Sequence, residues 1–475
     1  MILTKILIPI FLFFFLFACK KKEENFTVTP IAVSELQAEE GEELSADIAT
    51  TFINSKDAFG QQAVNMPASA SGDFTTGNSF FRLAWVTSPS STTARDGLGP
   101  LLNANSCGAC HTLDGRGRPP IEGETQMNSM LIRISATGVG PHGEPIPIPN
   151  YGGQLNDKAI FSALPEGKVS ISYTEKTGKY ADNTAYSLRV PTYVFDGLNF
   201  GSMPSGTLIS PRVAPQMPGL GLLEALDDVT LLNFADPSDA NNDGISGKVN
   251  RVWNAQTSTQ SIGRFGWKAN QPNLFQQTAG AFLGDMGITS SLFPNENLTG
   301  ITKQMYDSLS NGGTPEILDS TLKKVVFYCQ TLTVPARRNW KDKEVLEGKV
   351  LFSKSGCANC HVPKMSTSSI AEISEFRNLV IRPYTDLLLH DMGEELADNR
   401  PDFEANGQEW RTPPLWGIGL IKTVNNHTFF LHDGRARNIE EAILWHGGEA
   451  EKSKNSFKNL AKLDRDKILK FLNSL

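Results

Sequence analysis

The chain has 475 residues, 40% of them hydrophobic and 20% charged, and carries a formal charge of −7. That length can bury two or three domain cores without covalent help. Six cysteines are too few for a disulfide framework, and no basic block is present that would favour nucleic acid.

At the N-terminus, Lys5 precedes an apolar run from Ile6 to Ala18, too short to span a bilayer but suited to the core of a signal peptide. Leu16-Phe17-Ala18-Cys19 looks like a bacterial lipobox, in which Cys19 is acylated and becomes the mature N-terminus. The alternative is an ordinary signal peptide with an incidental cysteine. The expectation is a lipoprotein signal peptide over 1–18 and a polar tether over 19–45. The protein would then be exported and lipid-anchored to a bacterial membrane, facing the periplasm or cell envelope.

Next come the chain's most informative features, two Cys-x-x-Cys-His pentads: Cys107-Gly108-Ala109-Cys110-His111 and Cys357-Ala358-Asn359-Cys360-His361. Thiols three residues apart can form thioethers to both vinyl groups of one porphyrin, and the next imidazole then lies beneath the iron. Each pentad therefore reads as a covalent haem c site, with His111 and His361 as proximal ligands. The competing readings are a four-cysteine zinc site, two redox disulfides or structural bridges, none of which needs the histidine.

Between about Gly97 and Gly219 the chain is rich in glycine and proline and predicts loops. Short strands are expected at Leu131–Ile134, Val169–Tyr173 and Tyr186–Val190. His142 is a loop histidine that could also cap the first iron. Asp239-Ala240-Asn241-Asn242-Asp243-Gly244 matches the start of a calcium loop. Asp239, Asn241 and Asp243 are the candidate ligands, joined by the backbone carbonyl of Ile245, although the twelfth position is Asn250 and not glutamate. Cys329, in an apolar stretch, reads as a buried core thiol.

The last 140 residues predict a helical unit. A helix over Trp340–Phe352 leads into the second pentad, and Asn438 with Glu441 resembles a capping box opening a helix through His446. Ile468, Phe471, Leu472 and Leu475 form the stripe of a closing helix. The fold class expected is mainly α. It comprises an N-terminal haem c domain at 46–335, enlarged by a loop-rich insertion with short β-strands, and a C-terminal cytochrome c domain at 336–475.

Several further motifs carry a family resemblance: Ser210-Pro211-Arg212, Met217-Pro218-Gly219-Leu220-Gly221, Gly263-Arg264-Phe265-Gly266-Trp267-Lys268, Leu388-Leu389-His390-Asp391-Met392-Gly393, Arg411-Thr412-Pro413-Pro414-Leu415 and Leu431-His432-Asp433-Gly434-Arg435. Together they resemble the di-haem oxidoreductase family, which is related to the bacterial di-haem cytochrome c peroxidases. The resemblance covers nearly the whole chain after about residue 40.

The resemblance implies peroxide reduction at the N-terminal haem, with electrons delivered through the C-terminal haem. By position, Trp267 would bridge the two haems, Gln277 would be a distal polar group and Asp285 the acid/base. The flanks of Trp267 differ from those of the peroxidases, and the acid is the shorter aspartate, two residues nearer the glutamine. Counting fourteen residues from His432, where the peroxidases place a distal methionine, lands on His446. That would make the second iron bis-histidine. His390 is expected to be structural. The implied partners are hydrogen peroxide or another small oxidant and a small electron donor, a cytochrome or cupredoxin. A non-catalytic envelope electron-transfer cytochrome, or an oxidase of a thiol or protein substrate, are the rival functions.

Overall fold

A computed structural model describes residues 36–121, 124 and 126–475. The expected signal peptide, Cys19 and most of the tether lie outside them. From Glu42 onward the chain is packed. Glu42 is buried and ion-paired with Arg337 and with Lys349, the latter at 2.8 Å. No helix among the described residues is long and apolar enough to cross a membrane.

The same local arrangement occurs twice. Helix Ser71–Arg82 crosses helix Asp319–Thr331 at Gly77, where a Cβ would stand 2.0 Å from the Lys324 carbonyl oxygen and 2.8 Å from Tyr328 Cβ. Helix Lys343–Lys354 crosses helix Lys462–Leu472 at Gly348, with 2.0 Å to the Lys467 carbonyl oxygen and 2.9 Å to Phe471 Cβ. Only a residue without Cβ allows backbones this close. One turn beyond each glycine stands a phenylalanine. Phe81 lies 6.1 Å from the His111 ring and Phe352 lies 6.3 Å from the His361 ring. Each crossing thus supports one pentad.

The expectation of a mainly α protein built from two cytochrome c-like domains does not hold. Helix makes up 30% and strand 18%, the strands forming six small sheets among the described residues. The strands expected at 169–173 and 186–190 belong to one hairpin, Lys168–Lys179 paired with Ala185–Asp196 along its whole length. Its outer half, including Glu175 and Lys176, is exposed. Polar residues there hid the continuation, because alternation is visible in sequence only where one face is buried.

The hairpin also reaches across the molecule. Tyr180 Oη donates to Glu440 Oε1 at 2.6 Å, and Arg189 donates to the carbonyls of Gly434 and Arg435 at 3.0 and 2.8 Å. The C-terminal part is not purely helical either, since Leu389–Asp391 pairs with Glu409–Arg411. Its expected helices are present at Lys343–Lys354, Ile439–Trp445 and Lys462–Leu472. The Asn438 side chain caps its helix by accepting from Glu441 N at 2.8 Å, but the Glu441 carboxylate turns to Arg437 instead of completing a capping box.

Three large apolar clusters and one small one, Ala269 with Leu389 and Ala405, result among the described residues. The first joins the Ser71–Arg82, Leu274–Met286 and Asp319–Thr331 helices and contains Cys329, the second gathers the C-terminal helices, and the third backs a three-stranded sheet. In that sheet Met130–Ser135 is the middle strand, flanked by Gln154–Leu155 and Leu208–Val213, all antiparallel. Each cluster draws residues from both sides of residue 335, and this interleaving brings the two pentads to one place.

Candidate active site

Both pentads border one cavity of about 450 Å³. Its wall includes all four pentad cysteines, His111, His361 and His446, together with Trp267, Gln277 and Asp285. Cys107 and His446, 339 positions apart in sequence, thus share one space. The cysteine pairs do not converge on each other. Among the described residues the only group of three or more His, Cys, Asp and Glu residues with ligand atoms all within 4.8 Å of one another is Cys360, Asp386 and His390. No four-cysteine zinc site is formed, and none of the five described cysteines is in a disulfide.

The three histidines are oriented alike. His111 Nδ1 lies 2.8 Å from the Pro215 carbonyl oxygen, His361 Nδ1 3.0 Å from that of Tyr384, and His446 Nδ1 2.7 Å from that of Ala442. A carbonyl can only accept, so each Nδ1 carries the proton and each Nε2 keeps a free lone pair. This is the tautomer an iron ligand needs. Burial lowers the pKa of His111 and of His361 to about 4, and the His361 ring also feels His446. Burial lowers His446 too, so it caps its helix as a neutral donor and not as a cation.

Helix Leu274–Met286 carries Gln277 and Asp285 eight positions apart on its cavity face, and Asn273 caps it by accepting from Gln276 N at 2.8 Å. Asp285 Oδ1 accepts from Gln154 Nε2 at 2.9 Å, and its backbone carbonyl accepts from Asn103 N and Ala104 N at 2.8 and 3.1 Å. Those bonds tie the acid to the segment running into Cys107. Burial raises the Asp285 pKa, opposed by Arg133 and by the Gln154 bond. Trp267 is buried. Its Nε1 donates to the Val213 carbonyl at 2.8 Å, and the Arg116 guanidinium lies 5.0 Å from its ring centroid.

Residues 41–475 match the family described as "Di-haem oxidoreductase, putative peroxidase". The chain belongs to this di-haem oxidoreductase family. No curated protein matches it. A solved structure of hydrazine synthase from Kuenenia stuttgartiensis, under xenon pressure, overlaps 95% of this chain and 97% of its own at 12% identity and a TM-score of 0.34. That likeness is too distant to inform the fold.

Haem is the cofactor this family implies, and the residues present fit it. A largely apolar cavity offers paired thiols at two places and three imidazoles with Nε2 free.

In this di-haem oxidoreductase His390 and His432 also line the cavity, whereas His142 does not. His390 is buried between two carboxylates, with Nε2 2.9 Å from Asp386 and Nδ1 2.7 Å from Glu449, beside Cys360 Sγ at 3.7 Å. Burial opposes its charge, but these partners outweigh burial and hold the imidazolium well above its ordinary range. His432 stacks on Trp410 with ring centroids 3.7 Å apart, and burial lowers its pKa to about 3. His142 is exposed and stacks on Trp253 at 3.7 Å, away from the cavity wall.

In the candidate calcium loop, Asp239, Asn241 and Asp243 accept bonds from the loop's own amides, and Ile245 reaches the cavity wall. Asn250 is fully buried and bonded to Lys268, Asp402 and Glu404, so it is not available as the loop's twelfth-position ligand.

Proposed function

We propose that this di-haem oxidoreductase reduces a small oxidant, hydrogen peroxide in the simplest case, on the His111 side of the cavity, with electrons entering on the His361 side. The observation that supports this reading is the single cavity bordered by both pentads and by Trp267, Gln277 and Asp285. A haem c on each cysteine pair would supply the redox-active iron, with His111 and His361 as proximal ligands and His446 as the second ligand on the His361 side.

The chain's own groups then have defined tasks. Asp285 holds Oδ1 on Gln154 and leaves Oδ2 to take the peroxide's proton and return it to the departing oxygen. Two electrons and two further protons convert one peroxide into two waters. Gln277, on the same helix face, would orient the oxidant. Trp267 would bridge the two sides. With the Arg116 cation beside its ring, loss of an electron from the indole is disfavoured, so it acts as a conduit and not as a stored radical.

Export, a lipid on Cys19 and a small cytochrome or cupredoxin as donor complete the proposal. Peroxide consumption with a reduced small cytochrome tests it, alongside electron paramagnetic resonance of the ferric protein. Turnover that collapses in Asp285→Asn, with a high-spin signal from the first site, is expected. Two low-spin signals in every redox state and no turnover would leave only an electron-transfer relay.

A further inference from the structure

The three-stranded sheet presents a polar row to the cavity region that no motif announced. Arg133, in the middle strand, pairs with Gln154 on one side and Ser210 on the other. Directly opposed residues of antiparallel strands share a face, so these three side chains stand together. Two of them are committed. Gln154 Nε2 donates to Asp285 Oδ1 at 2.9 Å and to Asn103 Oδ1 at 2.6 Å, and Ser210 Oγ accepts from Arg212 Nε at 3.0 Å. Arg212 is in turn paired with Asp402 at 3.0 Å.

Arg133 differs. It lines the cavity, and among the described residues its guanidinium makes no hydrogen bond and no ion pair. Its strongest opposite charge is Asp285, on the Leu274–Met286 helix, to which the neighbouring Gln154 is bonded. A planar guanidinium that borders a cavity and is left without a protein partner is suited to an anion.

We infer that Arg133, beside Asp285 and Gln154, forms an anion-binding site on the Cys107–His111 side of the cavity, suited to a small monovalent anion of the azide or hydroperoxide class. This rests on the proposed function in taking that side as the open one. A haem carboxylate offers similar chemistry, but the surroundings favour a free anion. The Asp285 carbonyl accepts from Asn103 N and Ala104 N on the segment running into Cys107, so Asp285, with Arg133 beside it, stands toward the thioether side, away from the edge from which a porphyrin's carboxylates would leave.

The test uses the haem-loaded protein, titrating azide into the ferric form and carbon monoxide, an uncharged probe, into the ferrous form. Arg133→Gln should weaken azide binding by about tenfold or more, the worth of one charge-assisted hydrogen bond. It should leave carbon monoxide affinity within about twofold and haem content unchanged. Arg133→Lys, which keeps the charge and loses the fork, should fall between. Azide affinity unchanged in Arg133→Gln, or haem content lost in both variants, would overturn the site and make Arg133 structural or a haem anchor. Carbon monoxide binding without azide binding in the unaltered protein overturns the anion site alone. Binding of neither overturns the open pocket as well.

Discussion

Alanine at Gly348 tests whether contact between two helix backbones holds the second pentad in place. The added methyl would stand 2.0 Å from the Lys467 carbonyl oxygen and 2.6 Å from its carbonyl carbon, well inside the 3.4 Å at which ordinary contact begins. The obstacle is backbone, so it cannot rotate away. Helices Lys343–Lys354 and Lys462–Leu472 must separate, opening the packing of Phe352 against Phe471, now 5.2 Å between ring centroids.

Alanine gains about 1 kcal/mol over glycine in a helix interior, while forced overpacking costs about 1–3 kcal/mol and falls at the upper end against a rigid neighbour. A net loss of about 2 kcal/mol follows. Gly72→Ala supplies the control. It is exposed within helix Ser71–Arg82 with nothing inside 4 Å, and should be neutral or stabilising by up to about 1 kcal/mol. Urea unfolding followed by circular dichroism, with haem absorbance reporting on His361, reads both variants. Gly348→Ala as stable as the unaltered protein would refute the argument, and Gly77→Ala should repeat the result at the first pentad.

His446→Ala should turn the second haem high-spin, and His446→Met should raise its potential, because thioether favours the ferrous state relative to imidazole. An unchanged low-spin signal and potential in His446→Ala would remove His446 as a ligand. Haem staining and intact mass should show two covalent haems, one of which is lost in the Cys107→Ala/Cys110→Ala variant and the other in Cys357→Ala/Cys360→Ala. Retention of both in either variant contradicts the attachment. Burial of His432 at a pKa of about 3 means that between pH 3 and 6.5 the unfolded chain binds a proton the folded chain does not. Stability therefore falls on acidification, by about 2 kcal/mol at pH 5 from this group. His432→Phe, which keeps the stack on Trp410, should remove that part of the difference between urea midpoints at pH 7 and pH 5. Protein purified without chelator should contain calcium bound weakly through Asp239, Asn241, Asp243 and Ile245, and metal analysis finding none at millimolar supply would end that assignment.

What the sequence determined by itself is the local chemistry. Each pentad is complete within five residues, and the spacing of its thiols and imidazole needs no knowledge of the fold. The helices beginning at Lys343, Ile439 and Lys462 were legible for the same reason, since caps and apolar stripes act over one or two turns. His446 stands fourteen residues after His432, and in the structure it borders the cavity of the pentads with Nε2 free.

The tertiary structure decided the rest. The long hairpin displaced the mainly helical expectation because its outer strands face solvent on both sides and carry no apolar pattern to read. Arg133 left only a faint trace, a charge set between Ile132 and Ile134 in an apolar strand. Its place beside Asp285 depends on strand pairing with Gln154 and on a helix 152 positions away in sequence. Contacts of that range are set by how buried surfaces fit together in three dimensions, and no local run of residues encodes them.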